Sequence, residues 1–169
     1  MRILVTGGAG FIGSNLVAAL AARGVSDIAV CDLLGSDDKW RNIAKHEIAH
    51  LVAPDDLFDF LAAHTGGDGR WGRVDTVFHL GANSSTTEAD VDRIVVQNLS
   101  FTLNLWRHCS EGKVRLVYAS SATTYGDGRA GFDDAADLVS LARLRPLNPY
   151  GWSKQVFDLW VACVRRGPR

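Results

Sequence analysis

The sequence lacks the features that would place the protein in a membrane, a secretory compartment or a nucleic-acid complex. No apolar run approaches the roughly 18 residues that a membrane span needs. Met1-Arg2 leads directly into a strand pattern, not into a signal peptide. The formal net charge is −1 over 169 residues, which gives no electrostatic basis for binding nucleic acid. We therefore expect a cytoplasmic protein with no nucleic-acid and no membrane partner.

Cysteine is scarce, and no obvious set of metal ligands is present. The three cysteines, Cys31, Cys109 and Cys163, lie far apart, which predicts reduced and mostly buried thiols. The segment His46 to His50 matches the zinc pattern H-E-x-x-H, but that pattern needs a helix to bring both imidazoles onto one ion. Its position favours the third strand of a sheet, where four residues span about 13 Å. We therefore expect no metal site.

The sequence does contain a regular alternation of apolar strand runs and helix patterns, without internal repeats. This alternation predicts an α/β fold with a doubly wound, parallel, Rossmann-like sheet. The five predicted strands are residues 2–5, 27–31, 46–50, 74–80 and 114–119. Helices are predicted after Gly13 with Gly24 as C-cap, from Pro54, over 94–106 with Ser85 or Thr87 as a preceding cap, and from Asn148-Pro149. Loops are predicted at 34–42 and 66–72, and a tail at 165–169.

The length suits one domain over residues 1–169, with no separate substrate domain. A complete doubly wound domain of this kind has about six or seven strands. Because about five are predicted here, we expect the sheet to be incomplete at its C-terminus. Its last strand would then have an unpaired edge.

The first strand leads into Thr6-Gly7-Gly8-Ala9-Gly10-Phe11-Ile12-Gly13. Glycines at these positions let the backbone turn sharply, approach a pyrophosphate and pack closely against the helix that follows. The phosphates would lie at the free N–H groups and positive dipole end of that helix. Asp32 ends the second strand, about 20 residues further on, where a carboxylate binds the ribose. Together these features predict a dinucleotide site.

The residues near Asp32 leave the type of dinucleotide open. Asp32 alone favours a free 2′-hydroxyl, as in NAD, whereas Lys39 or Arg41 would reach a 2′-phosphate, as in NADP. Gly81-Ala82 follows the fourth strand without side-chain bulk, so either a cofactor or an ordinary turn accounts for it. Asn98 is the polar exception on the apolar face of the 94–106 helix, and a buried amide needs partners.

The predicted chemistry rests on three residues near the C-terminal ends of the later strands. Ser121 follows the fifth strand, while Tyr150 and Lys154 are four apart and share a helix face. A lysine ammonium beside a phenol stabilises the phenolate. Tyr150 would then take a proton from an alcohol as hydride leaves its carbon for nicotinamide. Ser121 would bind the same oxygen, and Lys154 the nicotinamide ribose.

Three motifs carry a resemblance to a known family: Gly7-x-x-Gly10-x-x-Gly13, the segment Tyr118 to Gly126 (YASSATTYG), and Tyr150-Gly151-Trp152-Ser153-Lys154. From Met1 to about Trp160 the chain resembles the extended short-chain dehydrogenase/reductases that act on nucleotide sugars. Gly81 to Glu88 is similar to the Gly-Ala-Cys-Ser-Ser-Thr-Thr-Glu signature of the ADP-L-glycero-D-manno-heptose 6-epimerase subfamily. Asn83 replaces the signature cysteine.

The resemblance implies reversible oxidation at C6 of an ADP-heptose, with NADP as cofactor, NAD as its alternative, and a homo-oligomeric enzyme. A cofactor-binding lysine of some members is replaced by Pro54. The cofactor contacts that it implies are Gly7, Gly10, Phe11, Ile12, Gly13, Asp32, Leu33, Lys39, Leu80, Gly81, Ala82, Asn83, Ser84, Asn98, Tyr150 and Lys154. The implied substrate contacts are Ser84, Ser85, Thr86 and Ser121, and the catalytic residues are Ser121, Tyr150 and Lys154.

Two alternatives remain open at this point. A 4-epimerase or 4,6-dehydratase of the same family, acting on another nucleotide sugar, would share all three motifs. A non-catalytic dinucleotide-binding fragment is the other alternative, because family members hold the sugar nucleotide with a region that follows the helix of Lys154.

Overall fold

A computed structural model of the chain describes residues 1–36, 38–64 and 71–164. The chain divides into two compact units. The first comprises Met1–Gly81 and Leu105–Ala119, and the second comprises Ala82–Asn104 and Ser120–Arg169, described to residue 164. All the strands formed by described residues belong to the first unit, whereas the described part of the second consists of helices and turns.

The first unit is built on a five-stranded parallel sheet with the strand order β3-β2-β1-β4-β5. Both neighbours of the central strand pair with it in parallel, Ile3 lying opposite Ile28 on one side and Thr76 on the other. The strands are β1 (Ile3–Thr6), β2 (Ile28–Cys31), β3 (His50–Val52), β4 (Thr76–His79) and β5 (Arg115–Tyr118). The predicted Rossmann-like parallel sheet of about five strands is therefore confirmed.

The core of this unit lies around β1 and β2, whose residues are all buried. Parallel strands covered on both faces consist of continuous apolar runs, which explains why sequence locates them well. Helix α1 (Phe11–Ala22) contributes Val17 and Leu20 to the same core. Gly24 follows its C-cap with φ +80°, the left-handed conformation typical of helix ends.

The third strand begins later than the sequence predicts. Residues 46–49 lie outside any strand, and β3 starts at His50. The chain is still turning at that point, since the N–H of His46 donates to the carbonyl of Ile43 (3.0 Å) and Ile43 is buried. The segment 46–50 is not helical either. Across the described ranges, no group of three or more His, Cys, Asp or Glu side chains is placed to hold a metal ion.

Short helical segments flank β3 in the first unit. The helix predicted from Pro54 begins as a 3-10 turn (Pro54–Asp56) and continues as α2 (Leu57–Ala63). A second 3-10 turn, Asp38–Asn42, lies within the predicted loop. Asp37, residues 65–70 of the predicted glycine-rich loop, and the tail 165–169 are outside the described residues.

The long helix predicted over 94–106 is present but is interrupted. It starts as α3 (Val91–Ile94), passes through a π-helical turn (Val95–Ser100) and continues as α4 (Phe101–Glu111). Its N-cap is Asp90, whose carboxylate accepts the N–H of Arg93 (3.0 Å). The predicted cap, Ser85 or Thr87, is wrong because those two hydroxyls hydrogen-bond each other (3.2 Å) in the preceding loop.

The remaining helices of the second unit are α5 (Leu138–Leu141) and α6 (Pro149–Val164), with a 3-10 turn at Ala122–Tyr125. Asn148 caps α6 as predicted, accepting the N–H of Gly151 at 2.8 Å. Cys31 and Cys109 are buried free thiols and Cys163 is exposed. Within the described part of the chain, no helix is long and apolar enough to cross a membrane.

Candidate active site

The glycine turn of the first unit joins the C-terminal ends of three strands. Gly7 has φ +68° and donates its N–H to the carbonyl of Cys31 on β2 (2.8 Å). A Cβ atom on Gly7 would lie 2.7 Å from the nitrogen of Gly81, which follows β4. The predicted contacts Gly7 and Gly81 are therefore in direct backbone contact, which only glycine at position 7 permits.

The start of α1 has the features of a phosphate-binding helix end. A Cβ atom on Gly13 would lie 2.1 Å from the carbonyl oxygen of Gly7, so the missing side chain lets the helix sit against the turn. Gly10 is the N-cap and makes no side-chain capping bond. Phe11 and Ile12, at the first helical positions, are 85% and 68% exposed. Free N–H groups at the positive end of the helix dipole suit a pyrophosphate.

Asp32 and Lys39 form an ion pair beside this turn. The Asp32 carboxylate accepts the N–H of Ala9 at Oδ2 (2.8 Å) and the ammonium of Lys39 at Oδ1 (2.5 Å). Lys39 also donates to the carbonyl of Leu33 (2.9 Å). The side chain of Asp32 is 7% exposed and that of Lys39 is 31% exposed. Arg41 is bound to the exposed carboxylate of Asp38 instead (2.9 Å).

In the second unit, Ser121 caps the 3-10 turn that follows it. Its Oγ accepts two hydrogen bonds from Thr123, one from the backbone N–H (3.2 Å) and one from the hydroxyl (2.8 Å). The hydroxyl of Thr124 donates to the Ser121 carbonyl (2.7 Å). A serine hydroxyl has two acceptor lone pairs and one donor hydrogen. With both lone pairs occupied, the hydrogen of Ser121 is left to donate to another oxygen.

Tyr150 and Lys154 lie on the first turns of α6, as predicted. The Lys154 ammonium is 6.0 Å from the centroid of the Tyr150 ring, and Lys154 is only 3% exposed. Burial lowers the pKa of Lys154 to about 8, although the charge of Asp158 opposes this shift. A Cβ atom on Gly151 would lie 2.7 Å from the carbonyl oxygen of Thr123. The helix that carries Tyr150 and Lys154 therefore contacts the turn that Ser121 caps.

Asn98 connects α6 to the loop at residues 81–88, which we call the signature loop. Its amide oxygen accepts the N–H of Asn83 (2.8 Å), and its amide nitrogen donates to the Asn83 carbonyl (3.0 Å) and to Ser153 Oγ (3.2 Å). Ser153 in turn donates to the carbonyl of Tyr150 (2.7 Å). Asn98 is buried within the π-helical turn, and such turns occur frequently at functional sites. The buried amide thus has its partners.

Asn83 also organises the loop that follows it. Its side chain donates to Glu88 and to Gln97, both at 3.2 Å. The bonds that Glu88 accepts from the Asp90 N–H and from Asn83 hold the pKa of the Glu88 carboxyl below its usual range. The intervening residues Ser84 to Thr87 are exposed. The loop therefore has fixed ends and presents hydroxyl groups at its surface.

The predicted site residues are divided between the units. The first unit holds Gly7, Gly10, Phe11, Ile12, Gly13, Asp32, Leu33, Lys39, Leu80 and Gly81. The second holds Ala82, Asn83, Ser84, Ser85, Thr86, Asn98, Ser121, Tyr150 and Lys154. Sequence reasoning missed Thr123, Ser153 and Asp158. Only Asp158 had a visible signal, its position four residues after Lys154.

Comparison with known proteins relates the whole described chain to one family. Residues 3–167 match the model of the NAD dependent epimerase/dehydratase family. The ADP-L-glycero-D-manno-heptose-6-epimerase of Fusobacterium nucleatum is 41% identical over 167 residues, covering 99% of this chain and 49% of the relative. The enzyme of the same name from Nitratidesulfovibrio vulgaris strain DP4 is 46% identical over 158 residues, covering 94% and 47%. The chain thus spans about half the length of these relatives.

Solved structures agree with this assignment. The Helicobacter pylori ADP-L-glycero-D-manno-heptose-6-epimerase superposes with a TM-score of 0.76 at 28% identity, covering 96% of this chain and 50% of that one. The Thermus thermophilus UDP-glucose 4-epimerase, solved in complex with NAD, gives a TM-score of 0.72 at 32% identity, covering 98% and 51%. The chain belongs to the NAD dependent epimerase/dehydratase family.

Proposed function

We propose that the protein carrying this chain is a nucleotide-sugar epimerase that inverts C6 of ADP-glycero-manno-heptose by transient oxidation and re-reduction. The observation that carries the proposal is the Tyr150–Lys154 pair, in which a buried ammonium lies 6.0 Å from the centroid of the phenol ring. An ammonium in that place stabilises a phenolate, which is the base that oxidation of an alcohol requires.

The three catalytic residues have distinct roles in this mechanism. Tyr150 Oη takes the proton of the substrate hydroxyl and returns it when the carbonyl is reduced. Ser121 donates its hydrogen to the same substrate oxygen, since Thr123 already occupies both of its lone pairs. Lys154 places its ammonium 6.0 Å from the centroid of the Tyr150 ring. Exact reversal of the oxidation would restore the starting epimer, so inversion also requires that the carbonyl present its other face before it is reduced.

The first unit supplies a cradle that fits a nicotinamide dinucleotide. Cβ atoms at positions 7 and 13 would collide with the backbone of Gly81 and of Gly7, so these glycines keep the turn tight. The uncapped start of α1 suits the pyrophosphate. When bound, the nicotinamide accepts and returns a hydride. We propose cofactor contacts of Gly7, Gly10, Phe11, Ile12, Gly13, Asp32, Leu33, Lys39, Leu80 and Gly81 on this basis. Those expected from Ala82, Asn83, Ser84, Asn98, Tyr150 and Lys154 remain predictions.

NADP is the cofactor that the ion pair favours. Lys39 neutralises the carboxylate of Asp32, which would otherwise repel a 2′-phosphate. An ammonium has three donor hydrogens, and Asp32 and Leu33 use two of those of Lys39. The third is left for a phosphate oxygen. NAD remains the alternative, and the Thermus thermophilus structure in complex with NAD supports it.

The substrate assignment rests on residues 81–88 and on the relatives. Two relatives at 41% and 46% identity are named for the ADP-heptose epimerisation, and the loop presents exposed hydroxyls of Ser84, Ser85 and Thr86. We propose these three residues and Ser121 as substrate contacts. A UDP-glucose 4-epimerase is the second candidate, because a solved enzyme of that kind is 32% identical. A 4,6-dehydratase and a non-catalytic fragment are further outcomes of the test.

The test is turnover by the natural polypeptide that carries this chain. It is supplied with NADP or NAD and with the ADP-heptose epimers, UDP-glucose and other nucleotide sugars, and the products are separated by chromatography. We expect interconversion of the ADP-heptose epimers and a loss of kcat of at least about a hundredfold in Tyr150→Phe. Tyr125→Phe, which removes only a bond to the Asp133 carbonyl (3.3 Å), is the matched control. Unchanged turnover in Tyr150→Phe would contradict the assignment of Tyr150 as the catalytic base.

A further inference from the structure

The carboxylate of Asp158 and the hydroxyl of Ser120 form a hydrogen-bonded pair, and Asp158 lies on the same helix as Tyr150 and Lys154. Asp158 follows Lys154 by one turn of α6, and its Oδ2 accepts the hydroxyl hydrogen of Ser120 at 2.5 Å. Ser120 directly precedes the predicted catalytic Ser121. Positions i and i+4 of a helix are neighbours on one face. The carboxylate is thus held on the face of α6 that carries Lys154.

The charge on Lys154 needs such a partner. Lys154 is 3% exposed, and an isolated buried ammonium loses its proton readily. Burial lowers the pKa of Lys154, and Asp158 is the charge that raises it again. The pKa of Asp158 is itself raised by burial, while the hydrogen bond from Ser120 and the charge of Lys154 lower it. The two groups therefore support each other's charged forms.

The other elements packed against α6 offer no comparable charge. The π-helical turn and α5 carry no ionisable side chain. Helix α3 carries Asp92 and Arg93, both exposed, and Arg93 reaches Glu88 (3.8 Å). The 3-10 turn carries Tyr125, whose hydroxyl donates to the Asp133 carbonyl. Asp158, on α6 itself, is the acid whose charge acts on Lys154.

We propose that Asp158 is a positioning residue that keeps Lys154 in its ammonium form, and that Ser120 fixes the carboxylate in the orientation this requires. The catalytic meaning of the pair rests on the function proposed above. The charge relationship concerns only residues of this chain, so it can be measured whether or not the protein is an epimerase.

The decisive experiment is an NMR titration of the lysine side chains in the chain itself. The sequence has four lysines, Lys39, Lys45, Lys113 and Lys154, so the signal of Lys154 can be assigned with a Lys154→Met variant. In Asp158→Asn we expect the pKa of Lys154 to fall by on the order of one pH unit, the usual effect of removing one nearby opposite charge. Asp134→Asn, which changes an exposed acid of the same unit, should leave it unchanged.

The opposite result is equally clear. If the pKa of Lys154 is the same in Asp158→Asn and in the parent chain, the carboxylate does not act on the ammonium and the proposal is overturned. Should Asp158→Asn not fold, Ser120→Ala and Asp158→Glu replace it. Ser120→Ala removes the hydrogen bond to the carboxylate, Asp158→Glu shifts the carboxylate by one methylene, and both retain an acid at position 158. A lower pKa of Lys154 in either variant supports the proposal, and an unchanged value in both overturns it.

A second measurement is the pH dependence of kcat for the natural polypeptide. A purely structural role of Asp158 would not shift this pH dependence. Because the ammonium is the active form, the basic limb of the kcat profile should move to lower pH in Asp158→Asn, in step with the NMR value. A fall in kcat with no movement of that limb would mean that Asp158 acts only on structure. If no sugar nucleotide is turned over, the proposed function fails, and the titration still decides the role of Asp158.

Discussion

The ammonium of Lys39 lies 2.5 Å from Oδ1 of Asp32, so the two residues with opposite implications for the cofactor form one ion pair. The sequence presents them as alternatives, a carboxylate for a free ribose hydroxyl and a cation for a phosphate. In the folded chain the cation is held by the carboxylate and by the Leu33 carbonyl. The pair positions Lys39 at the end of β2, where the ribose of a dinucleotide binds.

Lys39→Met should therefore change cofactor preference more than it changes overall binding. If NADP binds as proposed, the variant loses one charge-assisted bond to the 2′-phosphate, and such a bond contributes about 1.5–3 kcal/mol. We expect the Kd for NADP to rise about ten- to a hundredfold, while the Kd for NAD changes less than about threefold. Titration followed by tryptophan fluorescence measures both, with the exposed Lys45→Met as control. An unchanged ratio of the two Kd values would show that Lys39 does not contact the phosphate.

Gly13→Ala tests the glycine turn. The added Cβ would lie 2.1 Å from the Gly7 carbonyl oxygen, so the turn or the helix must shift. Overpacking of this kind costs about 1–3 kcal/mol of stability, and dinucleotide binding should weaken by at least about tenfold. Gly24→Ala is the control, because φ is +80° there but no atom lies within 4 Å. That variant should lose about 1 kcal/mol in urea denaturation with unchanged cofactor affinity.

Thr123→Val tests whether Ser121 is prepared as a donor. The isosteric change removes the 2.8 Å bond to Ser121 Oγ and lets the serine hydroxyl rotate. We expect kcat to fall about three- to tenfold, against about a hundredfold or more for Ser121→Ala, with unchanged affinity for the dinucleotide. Thr123→Ser should restore kcat. In the Ser121→Ala background Thr123→Val should have no further effect, and an additive loss would contradict a role through Ser121.

The stability of the first unit should depend on the protonation of His50. Its ring lies 5.0 Å from that of Trp71 and 5.7 Å from that of His64, measured between centroids. Burial and the neighbouring His64 lower the pKa of His50 from 6.5. The unfolded chain therefore binds this proton more readily, so the stabilisation is complete above pH 6.5 and is lost as the pH falls through the lowered pKa.

Urea denaturation at several pH values measures this effect. We expect the midpoint to decrease between pH 7.5 and 5.5 by more in the parent chain than in His50→Gln, in which this proton-binding site is absent. His108 contributes with the same sign, because burial also lowers its pKa, and it is common to both proteins. Equal slopes in the two proteins would rule out a contribution from His50.

The parallel sheet and the glycine turn could be predicted from sequence because both depend on local patterns. Apolar runs such as Ile28–Cys31 form buried strands wherever neighbours cover them. The start of α6 could also be predicted, since Asn148 and Pro149 act within one turn. The start of β3 at His50 could not be predicted from sequence, because it depends on the turn that the chain makes after the buried Ile43.

The parts of the site that escaped prediction depend on contacts between distant segments. The N-cap of α3 is Asp90, not the predicted Ser85 or Thr87. Asn83, Ser85 and Thr87 hydrogen-bond to one another within the preceding loop. The Ser120–Asp158 bond joins residues 38 positions apart. Nothing in the local sequence of α6 shows which hydroxyl meets Asp158, although the spacing from Lys154 marks the residue as a candidate.

The π-helical turn has a consequence for how this chain tolerates insertions and deletions. Ile94, Asn98 and Thr102 are all buried, although eight residues of a regular α-helix advance about 80° beyond two full turns. The wider turn absorbs part of that rotation and keeps the three side chains on one side. Deleting one residue from Val95–Ser100 would restore α-helical hydrogen bonding while turning Asn98 away from Asn83. Such a chain would gain a regular helix and lose the anchor of its signature loop.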